Sequence, residues 1–270
     1  MSVTLAAKPL IRWVGGKKQL LPQLLALVPE KFGTYYEPFV GGGALYFALN
    51  PKVAILTDFN PRLINAYRQV RDDVQGVATQ LKKYARDEQS YYEARTSMNA
   101  ENIDRLDSVA AARFLFINKC CYNGLWRENA GGGFNVPYGG DSKRKLFDVA
   151  NLFWSSVQLR SSAIVRCEDF GTASQASPGD FVYFDPPYIP VAATSFVDYT
   201  AKGFGAQEQL RLRDLASELK SRGVHVMLSN SDSPLTRELY KDFELHEVQA
   251  RRSVNSNGLG RGKVGELIIR

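Results

Sequence analysis

The sequence predicts an α/β fold, a doubly wound sheet interrupted by a mainly helical insertion, and three observations carry that expectation. Apolar runs of strand length alternate with segments whose large apolar residues recur at helical spacing. A glycine-rich turn joins the first strand to the helix after it. From roughly Arg62 to Asp148 the alternation gives way to helices and a stretch rich in Gly and Asn, and then it resumes. With 270 residues the chain has room for one catalytic core and one modest insertion, but not for two ordinary domains. Hydrophobic residues at 44% and charged residues at 23% argue against wholesale disorder.

In chain order, Lys18 to Val28 places Leu20, Leu21, Leu24, Leu25 and Val28 at helical spacing, with Pro22 tolerated in a first turn. Thr34 to Glu37 is a short β-type run that breaks into Pro38-Phe39-Val40-Gly41-Gly42-Gly43, and a helix is expected over Ala44 to Leu49. Val53 to Thr57 is an apolar strand ending at Asp58, and Pro61 opens a helix with Leu63, Ile64, Tyr67 and Val70 on one face. Val74 to Asn118 reads as helices rich in Tyr, Arg and Glu. Asn123 to Tyr138 has no helical period and is expected to be a hairpin or an extended loop. Ala163 to Cys167 and Phe181 to Phe184 are strands. Ala206 to Arg222 is a helix with Leu210, Leu215 and Leu219 on one face, stopped by Gly223, and Val224 to Leu228 is a further strand. Ser233-Pro234 supplies a cap and first residue for a helix to Asp242, and Leu245 to Val248 with Glu266 to Ile269 form a closing antiparallel pair.

The net charge is +6, unevenly placed. Lys8 to Leu20, Arg113 to Lys145 and Gln249 to Lys263 each carry a net +4, so the remainder of the chain is net acidic. Basic charge gathered into loop-like segments with Gly, Asn and Ser suits phosphate contact and counterion release, although merely solvated basic loops would look the same. The longest apolar stretch, Leu20 to Val28, is broken by Pro22 and Gln23 and is too short to span a bilayer. The first residues lack a signal-peptide pattern. Cys120, Cys121 and Cys167 form no spaced pair, which fits a reducing cytoplasm, and the adjacent Cys120-Cys121 read as buried helix residues. Two histidines, His225 and His246, argue against a His-rich metal site.

Three motifs carry chemistry. Glu37-Pro38-Phe39-Val40-Gly41-Gly42-Gly43 follows the first strand, where glycines let a ligand approach the backbone and the next helix start favours negative charge. By itself it also fits a plain tight turn, and it matches neither a Walker A loop nor the G-x-G-x-x-G spacing. Asp58 ends the second strand, where a carboxylate accepts both hydroxyls of a ribose, or caps a helix. Both readings coexist if Asn60 is the cap. Asp185-Pro186-Pro187-Tyr188 directly follows the strand Phe181-Val182-Tyr183-Phe184 and is the most specific signal. Two prolines end the ladder and stiffen the turn, leaving the Asp185 carboxylate and the Pro186 carbonyl as acceptors at the carboxyl end of the sheet. With the Tyr188 ring beside them, the set matches a flipped base that presents an exocyclic amine. An isolated match would equally fit an Asp-Pro-Pro turn with a core tyrosine.

With these residues in this order, the sequence resembles the Dam-type DNA N6-adenine methyltransferases (alpha class, D12 type) over most of its length. Arg12-Trp13-Val14-Gly15-Gly16-Lys17 resembles the family's Trp-x-Gly-Gly-Lys segment, Glu37 to Gly43 its Phe-x-Gly-x-Gly loop, and Asp185 to Tyr188 its Asp-Pro-Pro-Tyr motif. Tyr122-Asn123-Gly124-Leu125-Trp126-Arg127 and Gly133 to Gly139 resemble the target-reading hairpin. Leu228 to Asp232 and Arg251 to Gly258 are similar to later family segments. The resemblance implies a Rossmann-like S-adenosylmethionine-dependent methyltransferase sheet, residues 1–61 and 149–270, with an inserted mainly helical target-recognition domain, residues 62–148, that carries a β-hairpin. It implies S-adenosylmethionine as cofactor and no metal, with Trp13 and Lys17 closing over the cofactor. Glu37, Phe39, Gly41 and Gly43 then belong to the cofactor loop, Asp58 lies at the ribose, Asp169 and Phe170 near the adenine ring, and Asp185 between cofactor and target. Asp185, Pro186, Pro187 and Tyr188 form the catalytic set.

The resemblance further implies double-stranded DNA as the partner, with no membrane and no obligate protein partner, in the cytoplasm of a bacterial or phage-infected cell, and GATC as the leading site. Arg127 can donate two hydrogen bonds to guanine. Leu125 and Pro137 can pack on a thymine methyl, Tyr122 can fill the stack or lean on phosphate, and Asn123 can bond a base or the backbone. Arg12, Asn135, Arg251 and Asn257 complete the expected DNA contacts. Arg12 stands where the best-known members carry Lys, and Gly140 stands where a basic residue is expected, so phosphate contact shifts toward Lys143, Arg144 or Lys145. The rivals are the same chemistry on cytosine N4 or RNA adenine, and a DNA-binding regulator on an inactive fold; the target segments oppose the first, and intact Asp58, Asp185 and Tyr188 oppose the second.

Overall fold

A computed structural model of the chain describes residues 7–13, 15–102, 105–140, 146–190, 204–251 and 263–270. Val14, Lys143, Arg144, Lys145, Arg252 and Asn257 lie outside the described residues, and of Arg251 only the backbone is described. The strands are β1 (Tyr35–Glu37), β2 (Ala54–Asp58), β3 (Ala163–Cys167), β4 (Phe181–Phe184), β5 (His225–Ser231), β6 (Leu245–Arg251) and β7 (Lys263–Ile269). The helices are α1 (Leu21–Leu27), α2 (Ala44–Leu49), α3 (Pro61–Asp72), α4 (Val74–Leu81), α5 (Glu88–Ala100), α6 (Ser108–Cys120), α7 (Val149–Ser162), α8 (Ala206–Ser221) and α9 (Pro234–Leu239).

The strands form a seven-stranded, mostly parallel sheet in the order β3-β2-β1-β4-β5-β7-β6. β1 pairs in parallel with β2 and with β4, and β4 with β5. β7 runs antiparallel between β5 and β6. This is the doubly wound α/β sheet that the sequence predicted, and its closing pair is longer than expected, from Leu245↔Ile269 to Arg251↔Lys263. None of the described helices is long and apolar enough to cross a membrane.

The chain divides into two compact units. One comprises Met1–Lys17, Gly41–Lys52 and Asp58–Cys167, the other Lys18–Val40, Val53–Thr57 and Glu168–Arg270. In the first unit the starts of α3 to α7 are fixed by side chains. Asn60 accepts the N–H groups of Arg62 and Leu63 ahead of Pro61, and Asp73, Asp87, Asp107 and Asp148 cap α4, α5, α6 and α7. Each such cap contributes about 1 kcal/mol. The face of α3 predicted from spacing, Leu63, Ile64, Tyr67 and Val70, is buried, and Phe47, Tyr91, Phe114, Phe116 and Phe134 fill the same unit's interior.

In the second unit Phe170, Val182, Phe184, Leu212, Leu228, Leu267 and Ile269 form the core. Each such side chain, fully buried, contributes about 1.5–3 kcal/mol. The buried face of α8 differs from the predicted one. It runs through Gln209, Leu212, Ala216 and Leu219, with Leu210 and Leu215 packed at its flank. Leucine spacing alone pointed to a slightly rotated face because it could not anticipate a fully buried glutamine. Gly223 follows the helix with φ +80, the left-handed stop its position predicted.

Candidate active site

The second unit contains the sheet's switch point. Chain connections leave β1 toward β2 on one side and return as β4 on the other, and ligands of open α/β sheets bind at the carboxyl ends beside such a reversal. Glu37 ends β1 and Asp185 follows β4 directly. The Tyr35 hydroxyl donates to Glu37 Oε2 at 2.9 Å, the Tyr183 and Ser229 hydroxyls are 2.7 Å apart, and the Tyr188 hydroxyl donates to Glu266 Oε2 at 2.8 Å. Burial, and then the negative charge of Glu37, Asp185 and Glu266, hold these three phenols well above the ordinary tyrosine range, so they stay protonated.

The backbone after Asp185 is tied down by buried polar groups. Gln209 Nε2 donates to the Pro187 carbonyl at 2.8 Å, and Gln209 Oε1 accepts from Asn230 Nδ2 at 3.3 Å. Asn230 Oδ1 accepts the Ile189 N–H at 3.0 Å, and Ser231 Oγ donates to the Ile189 carbonyl. Gln209 and Asn230 are both fully buried. Two prolines plus this clamp fix the turn from both sides, which is what a rigid pair of acceptors requires.

Phe39 stacks on Phe170 with ring centroids 5.4 Å apart and meets Phe204 edge-on. Asp169 accepts the Gly171 N–H and pairs with Arg211, whose guanidinium also lies over the Phe170 ring. The Asp169-Phe170 pair is thus held by α8.

In the first unit the glycine loop is shaped by what lies against it. Gly41 and Gly43 have φ +42 and +63. A Cβ on Gly41 would lie 2.7 Å from the Trp13 ring, and one on Gly43 2.7 Å from the Tyr67 hydroxyl, which itself donates to Gly41 O. Side chains are excluded there by conformation and by space alike. Asp58 Oδ2 accepts the Gly41 N–H and Oδ1 the Asn60 N–H, while Asn60 caps α3. The two readings of Asp58 therefore resolve: Asn60 is the cap, and Asp58 braces the loop. Burial raises the Asp58 carboxyl above its ordinary range, and the N–H groups of Asn60 and Gly41 partly oppose this. Lys17 is buried and donates to Gly15 O at 2.6 Å. Trp13 stacks on Trp126, whose ring also packs on Phe114 and Phe134.

The segment expected to read the target is an arm with two isolated antiparallel bridges, Cys121↔Tyr138 and Glu128↔Phe134, rather than a continuous ladder. Arg127 Nε donates to Asn135 Oδ1 at 2.7 Å, and Asn135 N to Arg127 O. Tyr122, Asn123, Arg127 and Pro137 are exposed, Leu125 and Asn135 partly so. Asn118 brackets the Arg12 backbone, accepting its N–H and donating to its carbonyl. Arg12 Cβ lies 2.7 Å from where a Cβ on Gly124 would sit, next to the left-handed Asn123. Arg12, Tyr122, Asn123, Leu125, Arg127, Asn135 and Pro137 thus share one unit, and α5 straps the arm down: Asn99 bonds both backbone groups of Phe134, and Tyr91 and Arg95 both donate to Val136 O.

Sequence reasoning assigned no role to Tyr91, Arg95, Asn99, Gln209, Asn230 or Glu266. Gln209 lies three residues before Leu212 and seven before Ala216, on the observed buried face of α8, which is rotated from the face that leucine spacing predicted. The strapping residues of α5 left no such trace, because their partners are 35 to 45 positions away in the chain.

Comparison with known proteins adds to this geometry. The model of the D12 class N6 adenine-specific DNA methyltransferase family matches residues 13–254. The Type II methyltransferase M1.LlaDCHI of Lactococcus lactis subsp. cremoris is 44% identical over 268 residues, covering 97% of this chain and 94% of the relative. The Type II methyltransferase M.MjaIII of Methanocaldococcus jannaschii is 38% identical over 285 residues, covering 97% and 98%. The DNA adenine methylase of Vibrio cholerae serotype O1 is 34% identical over 265 residues, covering 96% and 94%.

Proposed function

Since the chain belongs to the D12 class of N6 adenine-specific DNA methyltransferases and is itself a DNA adenine methyltransferase, we propose that it transfers the methyl group of S-adenosylmethionine to N6 of an adenine turned out of duplex DNA, within GATC. The observation that carries this reading is the Asp185-Pro186-Pro187-Tyr188 turn at the carboxyl end of β4, beside β1, with its backbone clamped by Gln209, Asn230 and Ser231.

The residues present fit the cofactor. A carboxylate offers about four acceptor positions, and the Gly41, Asn60 and Phe59 N–H groups engage Asp58, which leaves capacity for a ribose hydroxyl. The left-handed Gly41 and Gly43 keep side chains out of the loop, and Phe39 offers a ring already set among aromatic neighbours. We assign Trp13, Lys17, Glu37, Phe39, Gly41, Gly43, Asp58, Asp169 and Phe170 to cofactor binding. When bound, the cofactor supplies an electrophilic methyl group on a sulfonium.

The protein's own residues then do the following. The adenine amine is a weak nucleophile because its lone pair is delocalised into the ring. Its two N–H groups donate to the Asp185 carboxylate and the Pro186 carbonyl, which favours a pyramidal nitrogen and stabilises the positive charge that develops on it. Tyr188 presents its ring to the base. On the DNA side, residues 62–148 together with Arg12 form the target-reading part, and Arg127 reads a guanine from an orientation fixed by Asn135.

The test is methyl incorporation into duplexes that contain GATC or single-base variants of it, with nuclease mapping of the modified base. N6-methyladenine confined to GATC is expected; labelling of RNA alone, or equal labelling of every variant, overturns the reading. Asp185→Ala is expected to abolish turnover while DNA binding survives.

A further inference from the structure

We propose that Glu266 is a positioning residue for methyl transfer: its carboxylate holds the Tyr188 hydroxyl and so fixes the ring that borders the target base. The inference rests on the reading of Asp185 to Tyr188 as the base-binding turn.

The geometry is direct. Tyr188 Oη donates to Glu266 Oε2 at 2.8 Å. A hydroxyl that donates to a carboxylate makes a charge-assisted bond, roughly twice as strong as a bond between neutral partners. Glu266 is a rigid anchor because β7 is paired on both sides, with Ser231 opposite Glu266 on β5 and Val248 opposite it on β6. The same register position also holds the next residue of the turn: Ser231 Oγ donates to the Ile189 carbonyl, and Asn230, beside it on β5, accepts the Ile189 N–H. Two neighbours in the sheet therefore take two consecutive residues of the turn, one by its side chain and one by its backbone. With its Cα set by this clamp and its hydroxyl set by Glu266, the Tyr188 ring is fixed at both ends, and its plane is defined before any base arrives. The phenol is also kept protonated by burial and by the adjacent carboxylates, so it remains a donor.

A double-mutant cycle in the full-length chain tests this, with Glu266→Ala, Tyr188→Phe, the combined variant and Glu266→Gln, by steady-state methylation of a duplex with labelled S-adenosylmethionine. Each single change is expected to lower kcat by about 10-fold, the range of one hydrogen bond to a charged group, with KM for DNA and cofactor changed much less. The combined variant is expected to lose no more than either single one, and Glu266→Gln, which retains an acceptor oxygen, to recover part of the loss. Losses that multiply in the combined variant, or a Glu266→Ala enzyme whose kcat is unchanged while its stability falls, would overturn the proposal. Failure of the underlying reading looks different: Asp185→Ala would then turn over normally, whereas inert Glu266 changes beside a dead Asp185→Ala enzyme sink only the role of Glu266.

Discussion

Replacing Gln209 by leucine probes the clamp with little change in side-chain size. The glutamine is fully buried and makes one bond in each direction, donating to Pro187 O at 2.8 Å and accepting from Asn230 Nδ2 at 3.3 Å. Leucine removes both. Asn230 is itself fully buried, so its amide is left without this acceptor, and an unsatisfied buried polar group costs about 1–3 kcal/mol. Pro187 is exposed, so its carbonyl can turn to water and adds less. Leucine recovers some apolar burial on the buried face of α8, which offsets part of the loss. A net destabilisation of about 1–2 kcal/mol follows, read as a shift of the urea midpoint at unchanged slope. Because the bond anchors the residue after Pro186, kcat should fall further than the folded fraction accounts for, while duplex binding by the arm at residues 122–138 stays intact. A Gln209→Leu enzyme as stable as the parent and equally fast would refute the clamp.

Gly43→Ala forces a side chain into a left-handed position 2.7 Å from the Tyr67 hydroxyl; strain of about 1–3 kcal/mol is expected, with cofactor affinity, measured by calorimetry, falling at least ~10-fold and DNA affinity changing little. Arg127→Ala should relax discrimination at one guanine by about 1–3 kcal/mol in competition between duplexes, and uniform weakening across all sequences would mean that Arg127 touches only phosphate. For Asp58 the pH dependence has a definite sign. Its folded carboxyl is raised by burial, so its own contribution to stability is present below the ordinary aspartate range and is lost as pH rises through the raised value. Cofactor binding that needs the ionised form is instead lost on acidification, beginning above the ordinary value of about 4. Titration of cofactor affinity against pH in the parent and in Asp58→Asn checks it; identical profiles would remove Asp58 from the cofactor site.

The alternating part of the fold was legible because strand-length apolar runs and helical leucine spacing are local signals, and caps such as Asn60-Pro61 and Ser233-Pro234 are written in adjacent residues. The turn at Asp185 to Tyr188 was legible for the same reason: proline acts on its own neighbours. What holds that turn was not. Gln209, Asn230 and Glu266 come from α8, β5 and β7, and only the sheet order brings them to one place. Asp58 shows the intermediate case. The sequence left open whether it capped a helix, and the bond from Gly41 N–H, seventeen residues back, settles its partner. Trp13 was expected to cover a cofactor, and the stacking of its ring on Trp126 of the arm left no trace in the sequence.

The electrostatics of the second unit argue for the proposed chemistry independently of any motif. Three carboxylates, Glu37, Asp185 and Glu266, act on the buried Tyr35 and Tyr183 and the partly buried Tyr188, and each of these phenols is pushed upward first by desolvation and then by those charges. Burial disfavours charge of either sign, but the carboxylates' share of that push favours a cation in the same place. Transfer of a methyl group to a neutral amine creates positive charge on nitrogen, so a region already negative and already held rigid needs no rearrangement as the charge appears. A base activated by a shifted pKa is not needed either, because an alkylated ring amine carrying positive charge is itself a strong acid and gives up its proton to an ordinary carboxylate. The three neutral hydroxyls complete the arrangement. They add no charge of their own, so in the proposed reading the Asp185 carboxylate and the Pro186 carbonyl are the groups that meet the amine.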